Sequence, residues 1–281
     1  MTTQVKPQDK TAYANGININ YLDWGNPDKS DLVMLHGLRG HRHSWDDVSA
    51  ALCQDFHVMA LDQRGRGETD WAQDGDYTTD AFVADLHGFA AALGVDKFVL
   101  MGHSMGGRNS MTYAGQYPET LEKLIIVDMG PETDPKGGQR IAQEIVDVPE
   151  EFDSFEAVVE YMMKQNRFAS ETVMRRRLEY ASKDLSNGKR GWRYDLAIRE
   201  ARRNPAPAAP QPDLWPVLGR ISCPTLVVRG METDLLTKET AQRMERELSQ
   251  GKLVEIARAG HMVFEDNPEG FITAVTEFLG I

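Results

Sequence analysis

Cysteine is scarce in this sequence: Cys53 and Cys223 are the only two in 281 residues. Two thiols so far apart cannot staple a small disulfide framework and fit no metal-binding spacing, so both read as buried free thiols. No apolar run reaches the roughly 18 residues of a membrane span. Residues 1–13 carry no apolar core of a signal peptide. Positive charge is short as well, 31 Lys and Arg against 43 Asp and Glu, for a formal net charge of −12. That balance leaves no basic face for nucleic acid and disfavours an anionic membrane surface. The absences describe a soluble, cytoplasmic protein; a small-molecule partner, no cofactor or metal, and a monomeric or homodimeric state are expected with it. What is present is ordinary for a globular chain, 41% apolar and 26% charged. The length allows one large domain carrying an insertion.

Strand-like and helix-like segments alternate through the first 130 residues, the pattern of a mostly parallel sheet with helices on both faces. A hairpin is expected around Asn15-Gly16, from 11–14 into 17–24. Short apolar runs at 31–35 (DLVML), 57–61, 97–101 (KFVLM) and 123–127 (KLIIV) read as buried strands. Helices are expected at 45–52, 78–93 and 108–117; in the second, Phe82, Leu86, Phe89 and Leu93 share one face. After Asp128 the character changes. Residues 131–204 show no strand signal and suggest three amphipathic helices, at 155–166, 171–182 and 192–203. A proline-rich link, 204–216, leads to a strand at 225–229 (TLVVR), a helix at 238–248, a strand at 252–256 and a last helix at 268–279. The expected class is α/β, with an eight-stranded sheet built from 1–130 and 217–281 and a helical insertion at 131–216. Phe155, Val159, Met162, Met163 and Leu178 recur at helical spacing, so the insertion is expected to roof a pocket.

Three short motifs carry chemistry. Gly102-His103-Ser104-Met105-Gly106 fits G-x-S-x-G and stands between a strand and a helix. That context demands a sharp turn and exposes the serine at the carboxyl edge of the sheet, beside a helix N-terminus that favours negative charge. Ser104 is therefore the candidate nucleophile. His36-Gly37-Leu38 follows the first buried strand, and the backbone N–H groups of Leu38 and Met105 are the candidate oxyanion donors. Ala259-Gly260-His261 lies between the last strand and the last helix, which makes His261 the candidate general base. His41 and His43 could line the pocket, whereas His87 and His103 read as structural.

HGLRGHRHSW, LDQRGRGET, VLMGHSMGG, VDMGP and AGHMVFEDNPEGF resemble the successive signatures of the α/β-hydrolase superfamily, spread over nearly all of the chain except the insertion. The resemblance implies a serine hydrolase of esters, lactones or amides, with residues 131–216 as a cap. C–C bond hydrolysis and a hydrolase-like ligand receptor are the alternatives with the same machinery. The resemblance also makes the loop Asp62-Gln63-Arg64-Gly65-Arg66-Gly67 a structural one. A narrower resemblance, carried by SMGGRNSMTYAGQYPETLEKLIIVDMGP, is to hydrolases of small acidic metabolites such as the acetamidomethylenesuccinate hydrolases. It implies arginines that pair with substrate carboxylates, and Arg39 and Arg108 are the candidates, with Arg42 nearby. The acid that orients His261 has two possible sources. Asp128 directly follows the strand KLIIV, 24 residues after Ser104, as in relatives that draw the acid from this strand. Asp234 stands in the loop after TLVVR, where a helix cap or turn would also explain it. Asp128 is the expected acid and Asp234 the alternative.

Overall fold

The computed structural model describes residues 5–166, 168–203 and 212–281. Strands β1 (Gln8–Ala14) and β2 (Ile17–Asp23) form the expected hairpin, with Ala14 opposite Ile17. Next come β3 (Asp31–Leu35), α1 (Asp46–Leu52), β4 (His57–Leu61), α2 (Thr79–Leu93), β5 (Phe98–His103), α3 (Met105–Gln116) and β6 (Leu121–Val127). Helix α2 starts where its cap dictates, since the Thr78 side chain accepts the Ala81 N–H.

After β6 the chain leaves this sheet. It forms α4 (Pro135–Asp147), β7 (Glu151–Phe152), α5 (Phe155–Gln165), α6 (Glu171–Ala181), β8 (Ser182–Asp184), β9 (Arg190–Trp192) and α7 (Ala197–Arg203). Two expectations fail here. Helix α4 was masked by Pro135, Gly137 and Gly138, yet proline suits a first helical turn and Asp134 caps it by accepting the Lys136 N–H. A small antiparallel sheet, β7-β9-β8, occupies a stretch expected to lack strands, and Trp192 ends a strand rather than opening a helix. Strands of two or three residues are too short to show alternation. Residues 204–211 of the proline-rich link lie outside the described residues. The chain resumes with α8 (Trp215–Leu218), β10 (Thr225–Gly230), α9 (Lys238–Glu247), β11 (Gly251–Ile256), α10 (Val263–Asp266) and α11 (Pro268–Leu279).

The main sheet has eight strands in the order β1-β2-β4-β3-β5-β6-β10-β11. Only the β1-β2 and β2-β4 pairs are antiparallel. The central strands are continuous apolar runs because helices cover both faces: Leu32, Val33 and Met34 have no exposed surface. One core packs α2, α3 and α9 on one face, and another packs α1 and α11 on the other. A third, separate core lies within the inserted segment, around Val158, Met174 and Leu178. Burying each such side chain contributes about 1.5–3 kcal/mol. The carboxyl ends of β3, β5, β6, β10 and β11 share one edge of the sheet, where loops of a parallel sheet gather side chains from distant parts of the chain.

Candidate active site

Ser104 occupies the turn from β5 to α3 with φ 54° and ψ −116°. A non-glycine residue in that region carries about 1–3 kcal/mol of strain and persists only when its surroundings fix it. Here the Ser104 N–H donates to the Val127 carbonyl at 3.0 Å, and the Ser104 carbonyl accepts the Arg108 N–H at 2.9 Å. The turn also needs glycine at 106, where a Cβ would lie 2.3 Å from the Leu35 carbonyl oxygen. Helix α3 can therefore press against the end of β3.

His261 and Asp128 complete a hydrogen-bonded row with this serine. Ser104 Oγ lies 3.0 Å from His261 Nε2, and His261 Nδ1 lies 2.8 Å from Asp128 Oδ2. Facing a carboxylate, Nδ1 carries the proton and donates, which leaves Nε2 free to accept from the serine hydroxyl. Asp128 is fully buried. Its oxygens also accept the Gly230 N–H at 3.2 Å and the Thr233 hydroxyl at 2.6 Å. The backbone of His261 is tied too, since His103 Nε2 donates to its carbonyl at 2.9 Å. Burial, and then the neighbouring His261, hold His103 well below the ordinary histidine range, so its ring is neutral. Neither Thr233 nor this use of His103 was visible in the sequence, because each contact joins loops over 100 residues apart.

The loop after β3 is fixed by buried side chains. His36 Nδ1 donates to the Gly37 carbonyl at 2.7 Å, and the Gly40 N–H reaches the same oxygen at 3.0 Å. A trans peptide points its N–H away from its carbonyl, so pinning the Gly37 carbonyl also pins the direction of the Leu38 N–H. His36 Nε2 accepts the Gln63 N–H at 3.0 Å, Gln63 Nε2 donates to the His36 carbonyl at 2.6 Å, and Asn109 Nδ2 donates to Gln63 Oε1 at 2.8 Å. Burial pushes His36 down to about 4, which keeps it neutral in this network. The Arg66 guanidinium donates to the Leu38 carbonyl at 3.3 Å. Glycine is required at 37, where a Cβ would come within 2.8 Å of the His103 ring. Met105 opens α3, so its N–H has no helical partner.

A cavity of about 540 Å³ opens over Ser104 and His261, walled by the β3 loop, by α4, α5 and α6, and by the residues after His261. Arg39 lines it, and its Nη2 is 3.1 Å from Glu144 Oε2. Arg108, the other arginine expected to contact substrate, is not among the lining residues. It lies on α3, one turn beyond Ser104. Arg42 is committed to Asp62 and Asp9, and His41 to the Arg177 carbonyl at 3.0 Å; neither lines the cavity, nor does His43. Met162 and Leu178 do line it, whereas Val159 and Met163 pack in the insertion's own core. Asp234 lies at the cavity wall but is held by both sides of the Arg140 guanidinium, at 2.6 and 2.7 Å. That pairing lowers its carboxyl below the usual range. Arg140, Arg177 and Asp266 are wall residues that sequence reasoning missed: the first two stand on elements without a motif, and Asp266 stands in the His261 signature with no role attached to it.

The arrangement can take a proton from the Ser104 hydroxyl. The sequence profile of the Alpha/beta hydrolase family matches residues 32–274. The chain belongs to that family. Among known proteins, this α/β hydrolase is 33% identical to the 3-hydroxybutyrate-oligomer hydrolase of Cupriavidus necator, over 92% of each chain. It is 25% identical to the 2-(acetamidomethylene)succinate hydrolase of Mesorhizobium japonicum, over 88% of this chain and 87% of that one. The crystal structure of an α/β hydrolase from Novosphingobium aromaticivorans superposes with a TM-score of 0.87 at 26% identity, covering 99% of both chains. Hydrolysis is thus the activity supported at the level of the family. Among the described residues of this hydrolase, no helix is long and apolar enough to cross a membrane.

Proposed function

We propose that the protein is a serine hydrolase that cleaves an ester or related acyl bond of a small molecule through an acyl-enzyme. The observation that carries this reading is the unbroken row from Ser104 Oγ through His261 to Asp128, with contacts of 3.0 and 2.8 Å. Ser104 Oγ attacks the carbonyl carbon while its proton passes to His261 Nε2. Asp128 fixes the imidazole tautomer and stabilises the imidazolium that forms. The N–H groups of Leu38 and Met105 receive the charge on the carbonyl oxygen. As the bond to the leaving group breaks, His261 returns the proton to it. A water molecule, deprotonated by the same imidazole, then attacks the acyl carbon and releases Ser104. Helices α4, α5 and α6 of the inserted segment serve as a cap over the cavity, and Arg39 contacts substrate.

A fluorophosphonate probe should label the protein once and should fail to label Ser104→Ala. Equal labelling of the alanine variant would overturn this reading.

A further inference from the structure

The loop after β10 is where the sequence offered Asp234 as the orienting acid. The structure puts a hydroxyl to use there instead. Thr233 Oγ1 lies 2.6 Å from Asp128 Oδ2, the oxygen that also faces His261 Nδ1 at 2.8 Å. The other carboxylate oxygen, Oδ1, accepts the Gly230 N–H at a longer 3.2 Å.

Asp128 depends on such partners. It is fully buried, with φ 47° in the left-handed region that few non-glycine residues adopt. Its N–H donates to the Val228 carbonyl at 2.8 Å, which places the backbone but not the carboxylate. Rotation about the Cβ–Cγ bond is a broad torsion, so the plane of the carboxylate follows its hydrogen bonds. Gly230 and Thr233 reach opposite oxygens, and together they fix that plane before His261 is counted.

The Thr233 hydroxyl is directed in its turn. The same Oγ1 accepts the Leu235 N–H at 3.2 Å. A hydroxyl has one hydrogen, and a carboxylate can only accept, so that hydrogen points at Asp128. The segment around it is pinned from several sides. The Thr233 N–H returns to the Gly230 carbonyl at 3.2 Å, and the Met231 N–H reaches the Ile256 carbonyl at 2.9 Å. The Glu232 N–H reaches the Ala259 carbonyl at 2.9 Å, two residues before His261. A Cβ at Gly230 would lie 2.1 Å from the Gly260 carbonyl oxygen, so this loop touches the one that carries His261. On its far side the Leu235 carbonyl accepts the Asp134 N–H at 2.9 Å. One short segment therefore holds the acid by a side chain and the loop of the base by its backbone.

We propose that Thr233 is a positioning residue: its hydroxyl turns Asp128 Oδ2 toward His261 Nδ1, and it acts on the reaction through that carboxylate. The role rests on the Ser104–His261–Asp128 reading above. During attack the Thr233 hydroxyl neither gives nor takes a proton. It keeps its hydrogen aimed at Asp128 while the imidazole gains one at Nε2.

The test compares Thr233→Val, which keeps the shape and removes the hydroxyl, with Thr233→Ser, which keeps the hydroxyl. On p-nitrophenyl acetate, Thr233→Val should lower kcat by about 10- to 100-fold, the range of a hydrogen bond to a charged group. KM should hardly change, because the contact lies behind His261 and not on the substrate. Thr233→Ser should recover most of the rate, and Thr233→Ala should behave as the valine variant does. In proton NMR, the low-field signal of the His261 Nδ1–H should move upfield in Thr233→Val and return in Thr233→Ser. The deciding measurement is a double-mutant cycle read as the rate of fluorophosphonate labelling. In an Asp128→Asn background, Thr233→Val should cost almost nothing further, since the carboxylate it aims is gone. Wild-type kcat in Thr233→Val, a loss that serine does not restore, or an equal loss in both backgrounds would overturn the role. Each of those results leaves Ser104 standing as the nucleophile. Equal labelling of Ser104→Ala would instead remove that reading and this one with it.

Discussion

The edge of the main sheet and the inserted helices face each other across one cavity, yet different forces hold them. At the sheet edge, the polar groups of the reacting row are buried and matched: Asp128 alone accepts from Gly230, Thr233 and His261. On the inserted side, part of the fastening to the sheet loops consists of partly exposed ion pairs, beside the more buried Arg177–Glu265 pair and backbone hydrogen bonds between Gly67 and Arg193 and between Asp195 and Gly65. Arg140–Asp234 has side chains 43% and 47% exposed, and Arg39–Glu144 has 27% and 20%. Exposed pairs contribute little, typically under about 1 kcal/mol, whereas a buried matched network is rigid and costly to break. Under the proposed function the duties separate: the sheet edge would hold the geometry of the reaction, and the insertion would select what reaches it.

The sharpest way to break that division is to remove the acid. Asp128→Asn should lower kcat by about 10⁴-fold with the fold intact, as a wrong imidazole tautomer does. Asp234→Asn, which only loosens the pairing to α4, should cost less than about tenfold. Steady-state kinetics on p-nitrophenyl acetate separate the two, and the reverse order would transfer the role to Asp234. Next comes the loop after β3, the proposed source of one oxyanion donor. Gly37→Ala places a Cβ 2.8 Å from the His103 ring and 3.2 Å from Ser104 Cβ. Turnover should fall by about 100-fold, the cost of one misplaced donor; unchanged kcat would show that the loop can shift freely.

A paired test sharpens the view of the insertion. Met174 is fully buried in the inserted core and does not line the cavity, whereas Met162 packs in that core and also lines the cavity. Met174→Ala should cost about 2–5 kcal/mol of stability and leave the ranking of substrates alone. Met162→Ala should change the ratio of kcat/KM between large and small esters by several-fold. Loss of the same size on all substrates would mean that Met162 acts through stability alone. The smallest expected effect is on pH dependence. Asp266 is raised to about 6 by burial, above an unfolded value of about 3.9. Its neutral form therefore favours the folded state, a contribution complete below the unfolded value and lost as pH rises through about 6. Asp266→Asn should flatten the decline of the urea midpoint between pH 4 and 7, and an unchanged profile would exclude Asp266 as its source.

Much of this was legible in the sequence because it depends on neighbours along the chain. The apolar runs at 31–35 and 123–127 declare buried strands, and the glycines around Ser104 declare a sharp strand-to-helix turn. Thr78 marks the start of its helix by the hydrogen bond it makes three residues on. These signals set the sheet, the position of Ser104 and the loop that carries His261, since backbone sterics, capping and burial periodicity act within a few residues. The choice between Asp128 and Asp234 was not of this kind. Both follow strands and both lie near the same edge, and the sequence could rank them only by Asp128 standing directly after its strand and by resemblance. Folding brings Asp128 to 2.8 Å from His261 and gives Asp234 to Arg140, on a helix that proline and glycine had hidden. The same holds for Arg39 and Arg108, two like charges near Ser104 of which only Arg39 reaches the cavity. Hydrogen bonds and ion pairs between groups over 90 residues apart depend on distance and direction, and those exist only once the sheet and the insertion have packed.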